Sequence, residues 1–400
     1  MSDELPTRER RVLAGGMVAA SLVPLNSTMI AVGLPDVADD LDVSRASVAW
    51  LVIAYLAAMA VCQPAAGRIG DRHGCRRVTL VALVGFGALS IVAAAAPTFP
   101  ALVVARVVQA VFGAALVPNV QTLVRGAVAP ERRGRAFGIL GTGIGAGAAL
   151  GPVIGGVLVD AAGWRAIFYV NGPVAAVAIV LVLMIVDRHV RAEVQALDGH
   201  LLHGRFLAAC LCQASSNLAQ YTLLLAVPLL LDDRGWSSSQ VGAVLLGMTV
   251  GLLVLSPVGG SLGDRAGRNQ PIVGGMTVLA VGGILVAVVG AEVPVVLVAG
   301  VVLTGVGLGL ATASLQAAAT DAVPEHRTAA ASGLLSTSRY VGSISGSLAL
   351  AVAGSRSVLV LTAVMGVLAV VAGARVEPDR ARIAAQPAGR PPGRAGAAGQ

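Results

Sequence analysis

Arg106 and Gln109 stand one helical turn apart in the apolar run Leu102-Val103-Val104-Ala105-Arg106-Val107-Val108-Gln109. An arginine about seven residues into such a run lies on the order of 10 Å deep in a bilayer. An ionised group there is costly and is by default functional, so Arg106 is expected to face a cavity, with Gln109 on the same face to hold the guanidinium or a substrate group. Gln213, Asn217 and Gln220, at i, i+4 and i+7 with Tyr221 adjacent, form a second face too polar for lipid; such residues serve either as cavity lining or as interhelical glue. Asn26, Gln63, Asn119 and Gln121 are further lining candidates. Arg339, beside Ser336, Thr337, Ser338 and Tyr340, either lines the cavity or snorkels and pairs with loop aspartates. This inventory suits noncovalent recognition. No nucleophile, base and orienting group converge at a motif and no phosphate loop occurs, so no enzyme is expected. His189, His200 and His203 lack acidic or thiol partners at ligand spacing and read as a solvated linker. No metal or cofactor is expected.

These residues need a membrane to be buried in. With 56% hydrophobic and 12% charged residues and a mean hydropathy of +0.83, the chain is far from a soluble domain, which carries roughly a quarter charged residues. The expected class is an all-α polytopic membrane protein. The net charge of +7 comes from arginines scattered over short loops, without a single lysine, rather than gathered on one face. Nucleic-acid binding is therefore excluded. Cys62, Cys75, Cys210 and Cys212 show neither zinc spacing nor a paired framework.

At about 20 apolar residues per crossing, spans fall near 12–34, 48–68, 78–97, 99–123, 136–159 and 166–187, then 205–231, 239–262, 271–291, 293–317, 329–353 and 356–374. The organisation expected is an N-terminal segment 1–11, a six-helix bundle 12–187, a linker 188–204, a second bundle 205–374 and a disordered tail 375–400. The first apolar run is a full span behind Arg8, Arg10 and Arg11, so it is kept rather than cleaved. One set of loops, including both termini, holds nearly all the arginines, while the other holds only Arg45, Arg165, Arg234 and Arg356. The positive-inside rule makes the first set cytoplasmic.

The stretch Gly67-Arg68-Ile69-Gly70-Asp71-Arg72-His73-Gly74-Cys75-Arg76-Arg77 lies between two spans and returns as Gly260-Ser261-Leu262-Gly263-Asp264-Arg265-Ala266-Gly267-Arg268, with Asp71 and Asp264 193 residues apart. Ala127-Val128-Ala129-Pro130-Glu131-Arg132-Arg133 returns as Ala322-Val323-Pro324-Glu325-His326-Arg327 at a shift of 194. Two matches at nearly one offset indicate tandem halves, and such halves enclose a midplane site and rock about it. Asp71 can accept from backbone N–H groups at a helix start or pair with an arginine while the cytoplasmic side is closed, which makes it a latch. Topology alone needs arginine but has little use for aspartate.

The stretch Gly67 to Leu80, with Gly67, Asp71, Arg72, Gly74, Arg76 and Arg77 in place, resembles the major facilitator superfamily's loop between its second and third spans. Gly138, Gly147, Gly151-Pro152 and Gly155-Gly156 are similar to the motif of its drug:proton antiporters, and Trp164-Arg165-Ala166-Ile167-Phe168-Tyr169-Val170-Asn171-Gly172-Pro173 resembles the start of their sixth span. Leu25-Asn26-Ser27-Thr28 through Gly33-Leu34-Pro35 resembles their first span, except that Asn26 stands where that branch commonly has aspartate. Ala110 and Phe112 replace expected small residues, and the branch often has fourteen spans rather than twelve.

The resemblance implies a carrier exporting small organic molecules by proton antiport, a multi-pass plasma-membrane monomer. Its glycines at 143, 147, 151 and 155 let another backbone approach; the resemblance implies a seam against the eighth span, which the eleventh span, keeping only Gly342 and Gly346, does not mirror. The acids lie at the two rims: Asp36, Asp160, Asp232, Asp233 and Glu292 at the external one, Asp71, Glu131, Asp264, Asp321 and Glu325 at the cytoplasmic one. An amide at Asn26 cannot titrate. Three routes remain open: a proton carried by Asp36 or Asp160, a charge brought by the substrate, or uncoupled transport. Uptake on the same fold, or a non-transporting sensor, are the alternatives. A cavity with arginine and no acid suits a neutral or anionic apolar substrate.

Overall fold

The computed structural model describes residues 7–129, 132–184, 204–290, 293–321 and 328–376; the linker, the tail beyond 376 and the loop acids Glu131, Glu292 and Glu325 lie outside them. The described residues are helical, in the order α1 (Thr7–Val32), α2 (Leu34–Asp40), α3 (Arg45–Val48), α4 (Trp50–His73), α5 (Cys75–Ala94), α6 (Phe99–Ala127), α7 (Arg133–Ala162), α8 (Arg165–Tyr169), α9 (Asn171–Leu183), α10 (Gly204–Asp232), α11 (Ser238–Ala266), α12 (Asn269–Leu285), α13 (Pro294–Asp321) and α14 (Thr328–Gly373). Ten stretches among them are long and apolar enough to cross a membrane. In a bilayer only helices can satisfy such backbones internally, which is why apolar runs this long take that form.

The 46-residue run α14 cannot be straight, since at 1.5 Å per residue it would be about 69 Å long. Gly342 packs against the backbone of Ala214, while two residues earlier on α10 the Cys212 thiol donates to the Ala369 carbonyl at 3.5 Å. Positions 27 residues apart in α14 thus meet one turn of α10. The run doubles back through its middle, and its two arms occupy the places expected for the last two spans.

The internal repeat is structural. Gly74 (φ 90°) and Gly267 (φ 97°) end α4 and α11, in a backbone region that a side chain would strain. Their N–H groups return to Gly70 O (2.9 Å) and Gly263 O (3.1 Å). Asn119 on α6 donates to Ala66 O on α4 at 3.3 Å, and Ser314 on α13 donates to Gly259 O on α11 at 2.8 Å. Each side chain covers a glycine, Gly70 or Gly263. Gly147 and Gly151 of α7 admit Ser21, Leu25 and Thr28 of α1; Gly342 and Gly346 of α14, at a shift of 195, admit Ala214, Leu218 and Thr222 of α10. The expected asymmetry between the fifth and eleventh spans is therefore corrected: the two glycines retained are the two that make the equivalent contact.

Candidate functional site

Burial along α1 and α10 shows where a pathway runs. From Asn26 to Pro35, and from Thr222 to Leu231, every residue is buried. Before those points each helix keeps an accessible stripe, Met17, Val18, Ser21 and Leu25 on α1 and Cys210, Leu211, Ala214 and Tyr221 on α10. On both helices exposure is confined to the half nearer the N-terminal face and ends near Tyr221. At that depth Tyr340 lies beside Gln63, Tyr221 and Tyr340 are electrostatic neighbours of Tyr55 and Arg339, and Arg339 is exposed. Gln220 is partly accessible, whereas Gln213 and Asn217 are buried, with the Asn217 amide donating back to Gln213 O at 3.0 Å. Gln121 is exposed and adds nothing to this region.

Beyond Tyr221 the halves are joined. Arg45 bridges to Asp232 at 2.6 Å and approaches Asp233 at 3.7 Å. The Asp160 carboxylate accepts from the backbone N–H groups of Ser238 (3.0 Å) and Ser239 (2.9 Å), at the start of α11 where the first turn has spare donors. The Ser238 hydroxyl donates to Asp36 at 3.4 Å. Burial, reinforced by the charge of Asp232, raises the Asp36 carboxyl above the usual carboxylate range. Asp40, held by the Arg165 guanidinium and the Trp164 indole, is lowered below it, so the motif residues Trp164 and Arg165 tie down the first loop (3.1 and 2.6 Å).

The glycine seam needs a correction. Gly143, Gly147, Gly151 and Gly155 face Met17, Ser21, Thr28 and Met29 of α1, within one half. The interface with α11 is one step round the helix: Gly156 meets the backbone of Ser238 and Ser239, Gly242 meets the Pro152 carbonyl, and the Thr249 hydroxyl donates to Ala149 O at 3.2 Å. A four-residue repeat on a 3.6-residue helix fixes one face but not which neighbour it meets. The surroundings of Gly138 lie outside the described residues.

At the face bearing the N-terminus the described ion pairs stay inside one half. Arg132 pairs with Glu9 (2.7 Å), Arg268 with Asp264 and, at 3.4 Å, with Asp321. Arg76 donates to the last carbonyls of α9, Val182 O (3.2 Å) and Leu183 O (2.6 Å). Gly67 packs near Pro118, Arg72, Arg77 and Arg265 are exposed, and half-buried Asp71 has no hydrogen-bond or ion-pair partner among the described residues.

Arg106 also departs from expectation. It does not face the cavity: it is 0% exposed, its guanidinium 3.9 Å from the centroid of the Tyr55 ring and 5.7 Å from that of Phe168. Arg106 donates to Gln109 Oε1 at 2.7 Å, and Gln109 donates to Ser90 at 2.5 Å. Asn171 donates to Ser90 (3.2 Å) and to Asn26 Oδ1 (2.8 Å). Asn26, Gln109 and Asn119, expected as lining or as partners in a cavity, are likewise fully buried. Buried among apolar side chains, these polar groups are satisfied by one another. Tyr55 and Ser90 were not singled out by their sequence context. A serine inside an apolar run, and one of only four tyrosines in the chain, were the available signals.

Two repeated helical halves tied to each other across one rim make a membrane carrier fold. A family model described as Major Facilitator Superfamily matches residues 16–207 and 209–399, and the chain belongs to that superfamily. The uncharacterised MFS-type transporter YvkA of Bacillus subtilis is 29% identical over 394 residues, covering 84% of this chain and 89% of its own length. The multidrug resistance protein Stp of Mycobacterium tuberculosis is 29% identical over 387 residues (81% and 72%). The tetracenomycin C resistance and export protein of Streptomyces glaucescens is 40% identical over 176 residues, 44% of this chain and 32% of that protein. Among solved structures, a bacterial homologue of the lysosomal transporter Spinster aligns with a TM-score of 0.78 at 14% identity, covering 93% of this chain and 97% of the other. The D-xylose–proton symporter aligns equally well, at 93% and 98% coverage. The chain is a multi-pass membrane transporter, not an enzyme.

Proposed function

We propose that this transporter exports small organic molecules across the plasma membrane by alternating access, with both termini cytoplasmic, as a monomer. The observation that carries the reading is that the halves are tied to each other at one rim, by Arg45, Asp160 and Asp36, while the ion pairs described at the arginine-rich rim stay within one half. A carrier in that state can load from the cytoplasm. The names of Stp and the tetracenomycin C protein speak of drug resistance and export, which supports the same direction. Exposed Arg339 beside Tyr221 and Tyr340, with no carboxylate among those lining groups, suits a neutral or anionic aromatic cargo better than a lipophilic cation.

Proton antiport is part of this reading, with half-buried Asp36 as carrier: burial raises its carboxyl above the usual range, and it sits on the contact between the halves that must break for that rim to open. Asp160 is better suited to holding the start of α11. A second reading, uncoupled facilitation, is favoured by the amide at Asn26, which cannot exchange a proton in the core. Everted vesicles loaded with paired anionic and cationic dyes, with and without a protonophore, separate these. Protonophore-sensitive accumulation of the anion is expected. Preferential accumulation of the cation would remove the cargo assignment, and protonophore-insensitive equilibration would leave the facilitator.

A further inference from the structure

The network around Arg106 is short of negative charge. Its contacts are a neutral amide oxygen and two aromatic faces, and no ion pair to it is described. An ionised guanidinium removed from water needs a counter-charge, or its burial costs several kcal/mol. Arg106 Nε is buried without a hydrogen-bond partner, and Asn26 Nδ2 and the Tyr55 hydroxyl, buried without a hydrogen bond of normal geometry, have one another and Ser27 within reach. They belong to one locality. The Tyr55 ring lies under the guanidinium, the Tyr55 hydroxyl lies beside Asn26 and Ser27, and Asn26 closes the chain of bonds that returns through Asn171, Ser90 and Gln109 to Arg106.

We propose that Asn26, Tyr55 and Arg106 bind a small monovalent anion inside the first half, either an inorganic halide or the carboxylate of the carried molecule. Three N–H or O–H donors and one full positive charge are what such an anion requires, and a neutral water would satisfy the donors without cancelling the charge. The site adjoins the region of Tyr221 and Tyr340 through Tyr55, their electrostatic neighbour, and does not depend on the direction of transport. The competing arrangement turns both amides, so that Asn26 Oδ1 meets the guanidinium and Asn171 Oδ1 meets Asn26. It fills the hydrogen bonds and predicts no response to anions.

The test is the unfolding temperature of the detergent-purified full chain at constant ionic strength, with sodium chloride or sodium acetate replacing sodium gluconate. Binding to the folded state alone raises that temperature saturably with anion concentration, and a rise of a few degrees is expected. A rise with chloride identifies an inorganic ion, and a rise with acetate but not chloride identifies a carboxylate. Asn26→Asp, which places a carboxylate on the same stem, should abolish the response while keeping the protein at least as stable in gluconate. Arg106→Gln should abolish it too, and if that variant fails to fold, Asn26→Asp decides alone. The proposal is overturned by identical unfolding in all three salts, or by an undiminished anion response in Asn26→Asp.

Discussion

The two rims of the molecule hold the same kinds of residue and use them in opposite ways. At the rim away from the N-terminus, Arg45, Asp160 and Asp36 reach from the first half to Asp232, Ser238 and Ser239 of the second. At the other, Arg132, Arg76 and Arg268 find partners within their own half, and Asp71 finds none among the described residues. Asp160 does on the closed rim what Asp71 was expected to do on the open one, accepting N–H groups at a helix start. Charge composition therefore does not tell a latched rim from an open one; the pairing across the halves does.

The comparison breaks most completely at the α7–α11 seam. Gly242→Val would drive a branched side chain into the Pro152 carbonyl, at a cost of about 1–3 kcal/mol, prying the closed rim apart and abolishing export. Gly141→Ala, on the same α7 with no atom near its would-be Cβ, should transport normally. Spin-label distances across the rim, alongside vesicle transport, would read both.

Arg45→Ala comes next. The bridge to Asp232 is about one-third exposed on each side (35% and 34%), so solvent limits its worth to roughly 1 kcal/mol or less. That still moves a two-state equilibrium several-fold toward the open outer rim. Reactivity of a cysteine placed at Leu231, buried while the rim is closed, should rise accordingly, and unchanged reactivity would mean the seam alone holds the rim shut.

A smaller effect follows pH. Asp36 has a raised pKa in this closed-rim conformation, and opening would hydrate it and return it toward the ordinary value. Protonation therefore favours closure: the contribution is fully present below the ordinary carboxylate pKa and is lost as pH rises through the elevated value of the closed state. Asp36→Asn should keep the rim closed across the weakly acidic range and flatten the pH profile of transport. A wild-type profile retained in that variant would put the proton elsewhere.

The smallest effect on this conformation is expected from Asp71→Asn. With no partner to lose here among the described residues, thermal stability should be unchanged, and a fall in turnover is the outcome expected of a latch that forms in the opposite conformation. A fall in stability equal to that of Arg45→Ala would erase the distinction between the rims.

Much of this was legible without coordinates. The shift of 193 residues between Asp71 and Asp264 announced a repeat, which the positive-φ glycines Gly74 and Gly267 and the Asn119 and Ser314 ties carry into three dimensions. The candidate site was legible only as a set of residue types. Arg106, Gln109 and Asn26 are polar residues in apolar helices whichever way they point, and a helix wheel alone does not say whether one face meets a chamber or five neighbouring helices.

Hydropathy, arginine placement and the duplicated loop were enough to establish a membrane chain of two homologous halves, because crossing a bilayer leaves the backbone one choice and repeated sequence folds alike. Which helix fills each glycine groove, which rim is latched and whether a buried guanidinium has a counter-charge were decided by packing. Those properties depend on atoms that are close in space and more than a hundred residues apart in the chain, as Asn26 is from Asn171.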